Sequence, residues 1–218
     1  MAECVVYTDS KSKSQLAKLG LVEDHLMQAV YVGLSAWAEC TPDHPVTYPG
    51  TRAWGEAIAS LAGLLKPLGW QRADRANQPL IINKRGSIAI TISTGNEDTG
   101  KPGGDPTTKA KKGPKTAEAI ARNCGWLFPE MEQDANERRM KPNMATWILL
   151  VYRDEPQGQV RCELSLPISL DEDNRIDGWS ERIILSSGPL GAPRVMAPEG
   201  GGEPPKTPEI KIEIKRRA

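Results

Sequence analysis

Between residues 22 and 38 the chain reads VEDHLMQAVYVGLSAWA, and Val22, Leu26, Ala29, Val30, Gly33 and Trp37 recur at helical spacing. Glu23 and Asp24 fall in the first turn, where carboxylates suit the positive end of the helix dipole. CTPDHPVTYPG, with three prolines, then reads as a loop. Thr51 is placed to cap a second helix with Trp54, Ile58, Leu61 and Leu65 as its buried stripe, ended by Pro67 and Gly69. The spacing predicts a helical hairpin.

Beyond residue 69 the period changes to two. GWQRAD is a short candidate strand. PLIINKRGSIAITIST reads as a hairpin turning near Gly86, with Ile88, Ile90 and Ile92 on one face and Ala89, Thr91 and Ser93 on the other. After a glycine-rich stretch, KTAEAIARNC predicts a short helix, and residues 129–143 are polar and irregular. ATWILLVYR is almost continuously apolar, the pattern of a central strand covered on both faces. DEPQGQ is a turn, and VRCELSLPI alternates strictly, with Val160, Cys162, Leu164 and Leu166 inward. A loop, SLDEDNRID, precedes a last strand in GWSERIILSS.

The ends read differently. Residues 1–20 are expected to form a flexible arm with at most one edge strand. Residues 188–208 hold six prolines and five glycines and read as an extended linker. Residues 209–218 return to alternation, with Ile210, Ile212 and Ile214 between charges. Such a strand needs a sheet edge to dock on, in its own chain or in a partner. Hairpins outnumber crossovers, so the expected fold is α+β: the N-terminal hairpin on a mostly antiparallel sheet within residues 21–187, followed by linker and docking strand.

Composition narrows function. The 218 residues carry 28 Lys plus Arg against 28 Asp plus Glu, so any electrostatic partner must meet a local patch. No apolar run reaches the roughly 20 residues of a membrane span, and MAECVVYTDSKSKS lacks a basic-then-apolar leader pattern. Cys4, Cys40, Cys124 and Cys162 form no CxxC and read as free thiols. A cytoplasmic protein without membrane contact is expected.

The oddest stretch is TGNEDTGKPGGDPTTKAKKGPKT, residues 94–116, which opens acidic and closes on Lys109, Lys111, Lys112 and Lys115. It is not a phosphate-binding loop, because Pro114 removes an N–H between Gly113 and Lys115 and the Walker spacing fails. Read blandly it is a solvated mobile loop; read functionally its lysines, gathered before a helix N-terminus, meet nucleic acid or an acidic protein surface. DEDNRIDGWSER departs from a calcium loop at Ile176 and Arg182. Cys40 and His44 have no second ligand pair at finger spacing, and Glu97 with Asp98 are the candidates for carboxylate chemistry. Glu209-Ile-Lys211 and Glu213-Ile-Lys215 match the acid–lysine spacing of metal-dependent nucleases, and also the ordinary composition of an edge strand. Trp54 and Trp147 read as core; Trp126 and Trp179 follow glycines and are either core or interface anchors.

TYPGTRAW, IAITISTGNEDTG and RIDGWSERIIL resemble stretches of uncharacterised proteins carried on bacterial plasmids, integrative elements and prophages. The resemblance implies a mobile-element setting, where proteins of this size bind and disable host defence machinery, anti-CRISPR proteins being the best-known group. The expectation is a non-enzymatic binding protein that needs no metal or organic cofactor and engages a host protein or protein–nucleic-acid complex. Its contacts are expected at Lys109, Lys111, Lys112, Lys115 and Trp126, with Ile210, Ile212 and Ile214 as a second contact. A metal-dependent nuclease and a non-catalytic nucleic-acid binder are the alternatives.

Overall fold

A computed structural model describes residues 4–75, 78–127 and 144–191, with residues 75 and 124–127 as backbone. The elements run β1 (Val5–Tyr7), α1 (Asp9–Lys18), α2 (Glu23–Ala38), α3 (Tyr48–Leu65), β2 (Gln71–Arg75), β3 (Gln78–Ile82) and β4 (Ile88–Thr94). They continue through α4 (Pro114–Leu127), β5 (Ala145–Asp154), β6 (Gln159–Leu170), β7 (Ile176–Ile184) and β8 (Gly188–Pro189). The fold is α+β: among the described residues eight strands form one sheet in the order β1-β7-β6-β5-β4-β3-β2, with β8 beside β6. Most neighbours are antiparallel, but β1 with β7 and β4 with β5 are parallel.

The parallel step dictates the layers. Two adjacent parallel strands need a crossover over one sheet face. The described part of this connection contains α4, which packs Ile120 against Ile148 and Leu150. The hairpin α2–α3 covers the opposite face, where Leu26, Val30, Ile58 and Leu61 meet Ile90, Ile92, Trp147, Leu149, Cys162 and Leu164. The helices of the hairpin touch at Gly33: a Cβ there would lie 2.6 Å from the Ala53 carbonyl oxygen, so only glycine permits this approach. Asn123 pins α4 to the sheet. Its amide donates to the carbonyls of Thr146 (3.1 Å) and Pro167 (2.9 Å), and its Oδ1 accepts from Thr146 N–H (2.9 Å).

Several expectations need correction. Residues 5–18 are not a loose arm, because β1 pairs with β7 and α1 buries Leu16 in the main core. The helix went unread because DSKSKSQLAK has almost no apolar period. It closes in a Schellman-type turn, with Gly20 at φ 73° and Leu21 N–H bonded to the Leu16 carbonyl at 2.9 Å. The hairpin's second helix starts at Tyr48 with Pro49 in its first turn, so Thr51 is inside it rather than at its cap. Gly188 and Pro189, read as linker, pair with Val160 and Gln159. The C-terminal strand with Ile210, Ile212 and Ile214, and both Glu-Ile-Lys repeats, lie outside the described residues.

Candidate functional site: a cleft at the ends of β4 and β5

The stretch 95–113 is packed on the sheet rather than solvated, since Thr99, Pro106 and Thr108 are buried. Four side chains from β6 and β7 hold it by its backbone, three donating to carbonyls and one accepting an N–H. Arg182 donates to the carbonyls of Gly104 (2.7 Å) and Lys101 (2.9 Å), Arg161 to that of Glu97 (2.8 Å), and Trp179 Nε1 to that of Pro106 (2.7 Å). Glu163 accepts from Gly100 N–H at 2.9 Å, from Ser165 at 2.8 Å and from Arg182 at 2.6 Å and 3.0 Å. Both Glu163 and Arg182 are buried, so this is a fully hydrogen-bonded ion pair beneath the loop. Gly100 sits at φ 75°, and a Cβ there would come within 2.9 Å of the Arg161 Cβ. Trp179 is therefore a core residue.

The loop's lysines separate. Lys111 pairs with Asp173 at 2.7 Å and Lys115 with Glu118 at 2.7 Å, both at exposed positions. Lys112 is largely withdrawn from water and reaches Ser93 Oγ at 2.6 Å; burial lowers its pKa to about 8. Lys109 is exposed, and its backbone N–H bonds the Thr94 carbonyl at 3.0 Å at the end of β4. Trp126 falls in the backbone-only end of α4. Glu97 gives its carbonyl to Arg161, and Asp98 pairs with Lys101 at 3.2 Å. Cys40 and His44 do not form a metal pair. The Cys40 thiol donates to the Ala36 carbonyl, and His44 Nδ1 faces Thr41 while its ring stacks on Tyr48. Among the described residues no three His, Cys, Asp or Glu side chains group to hold an ion, and no helix is long and apolar enough to cross a membrane.

Lys109 leads to a feature that sequence reading missed. Between the hairpin and the carboxyl ends of β4 and β5 lies a cleft of about 390 Å³. Ligands of open α/β sheets occupy this end of parallel strands. Its floor is largely aliphatic, with Val30, Leu34, Ala53, Ala57, Ile92 and Val151; Ser93, Thr94 and Tyr152 also line it, and its rim carries Trp37, Trp54, Lys109, Arg153 and Glu155. Trp54, expected in the core, is 40% exposed and donates its indole N–H to the Ile92 carbonyl at 3.0 Å. The indole's one polar atom is thus satisfied inward, and its apolar body faces the cleft mouth. Arg153 lies over the Trp37 ring at 4.1 Å and pairs with Glu155 at 3.2 Å. The buried Arg153 Nε has no acceptor among the described residues. Nearby, Val46 and Tyr48 add exposed apolar surface at the start of α3.

The signal for this site was faint in sequence: Trp37 and Trp54 belong to helical stripes, and only the approach of two helices at Gly33 shows that the stripes end in an open cleft. No protein-family model matches the chain, and no curated protein or solved structure matches it.

Proposed function

We propose that this chain is a non-enzymatic binding protein that engages a macromolecular partner through the cleft between α2, α3 and the ends of β4 and β5. The mobile-element resemblance makes a host protein or protein–nucleic-acid defence complex the partner class. The observation that carries the reading is Trp54, an exposed indole whose only polar atom is already bonded inward. Tryptophan is enriched among the few residues that carry most of an interface's binding energy. Lys109 and Arg153 on the same rim add the cationic contact expected of the loop. Lys111 and Lys115, which do not line the cleft, contribute less to this surface.

The test is capture of host proteins from a bacterial lysate by the wild-type chain and by a Trp54→Ala, Lys109→Glu variant, read by mass spectrometry. The expected result is a partner retained by the wild type and lost by a variant whose far-UV spectrum is unchanged. A partner captured equally by both removes the cleft from the interface.

A further inference from the structure

We infer that the cleft receives an acidic peptide segment of the partner, with an apolar side chain seated on the floor and an adjoining carboxylate held by Arg153 and Lys109. The inference rests on the binding reading above and names the chemistry of what binds.

Size sets the first limit. About 390 Å³ lies at the low end of the roughly 300–1,000 Å³ typical of small-ligand sites, enough for one or two side chains. The lining is mostly apolar, with Ser93, Thr94 and Tyr152 as its uncharged polar members, so the buried part of the occupant is mainly apolar.

Charge sets the second. Lys109 has no ion-pair partner among the described residues. Arg153 has one, Glu155, whose carboxylate is mostly exposed. Because the acid of this pair lies mostly in water, an incoming carboxylate can take Glu155's place on the half-buried Arg153 at small cost. The incoming group gains more, because the guanidinium is already fixed over Trp37. The rim therefore presents two cations held beside an apolar floor.

The same features disfavour a nucleic-acid strand in the cleft. A strand needs a row of cations along its phosphates and open aromatic faces for its bases. Here the cations number two, one face of Trp37 is covered by Arg153, and a Cβ on Gly50 would lie 3.4 Å from the Trp37 ring.

The experiment is fluorescence polarisation of the full chain with three labelled decapeptides, each carrying one central leucine pair flanked by aspartate, asparagine or lysine. The aspartate peptide is expected to bind at least about tenfold more tightly than the asparagine peptide, as a charge-assisted contact implies, and the lysine peptide not at all. Lys109→Glu, a surface change, should weaken the aspartate peptide and strengthen the lysine peptide. Ala53→Met, which fills the floor, should weaken both leucine peptides with acidic or neutral flanks. Equal binding of all three peptides, or no effect of either variant, overturns the inference. Octanoate that displaces the aspartate peptide while the captured partner stays bound overturns it too, because the cleft would then serve a free acid. If no peptide binds but the cleft variant still loses the captured partner, the acidic-peptide inference fails and the binding reading stands.

Discussion

Arg182 on β7 and Glu163 on β6 are diagonal neighbours across two antiparallel strands, and their side chains meet at 2.6 Å where the glutamate has no exposed surface. The pair is more than an internal contact. The guanidinium also holds two carbonyls of the stretch 95–113 and the carboxylate holds the Gly100 amide. The glycine-rich stretch is thus ordered from below, and Lys109 within it is delivered to the cleft.

Removing one member leaves the other charged and unpaired in the interior. Arg182→Met is expected to lower stability by about 3–5 kcal/mol, the range for breaking a buried pair. Urea denaturation measures it. Hydrogen exchange should show the largest loss of protection in residues 97–106. A loss below about 1 kcal/mol would mean that the pair behaves as a surface bridge.

Gly100 and Gly158 both have positive φ, at 75° and 60°, but only Gly100 faces a wall. Gly158→Ala should cost about 1 kcal/mol, the penalty of a left-handed backbone alone. Gly100→Ala adds the 2.9 Å approach to Arg161 and should cost about 2–4 kcal/mol. Thermal unfolding of the two variants side by side separates conformational strain from steric conflict; equal losses would refute the close packing of the loop.

Lys112 gives a pH signature. Its pKa falls from 10.5 in the unfolded chain to about 8 in the folded one. Between those values the unfolded state binds more protons, so stability contributed by this group rises with pH from about 8 to 10.5. Below about 8 the folded protein carries a desolvated ammonium, whose burial opposes folding. Lys112→Met is therefore expected to stabilise the protein at pH 7 by about 1–3 kcal/mol, with the gain fading toward high pH. Denaturation midpoints of both proteins between pH 6 and pH 10 (about the range buffers allow) check the sign; a gain that grows with pH would overturn it.

Much of the fold was legible in the sequence. The alternation in VRCELSLPI placed Val160, Cys162, Leu164 and Leu166 inward, and all four are buried. The helices at 23–38 and 48–65, the turn at Gly86 and the central position of β5 follow from the same local periods. The intervening residues of β6 were read only as the other half of an alternation. Yet Arg161, Glu163 and Ser165 are buried as well: Arg161 meets Asp154 of β5 and the Glu97 carbonyl, Glu163 meets Arg182 of β7 and the Gly100 amide, and Ser165 bonds Glu163. A polar residue on a strand signals solvent unless its partner is known, and that partner leaves no mark nearby.

The four lysines show the same division. Their clustering was visible, but their roles are not a property of the cluster. Lys111 and Lys115 have exposed acids beside them, Lys112 has been drawn onto Ser93, and Lys109 stands at the cleft mouth. Trp54 lies on its predicted stripe and is nonetheless exposed, because the stripe runs into an opening bounded by elements far away in sequence.

The sequence by itself determined α2, α3 and the strands β3 to β7 with the apolar face of each, since these depend on residues three, four or two positions apart; α1 and β8, which have no such period, it did not. Only the tertiary structure decided which polar side chains are buried, which lysine lines the cleft and where two aromatic stripes meet it. Those outcomes depend on electrostatic and steric contacts between segments that meet only when the sheet is assembled.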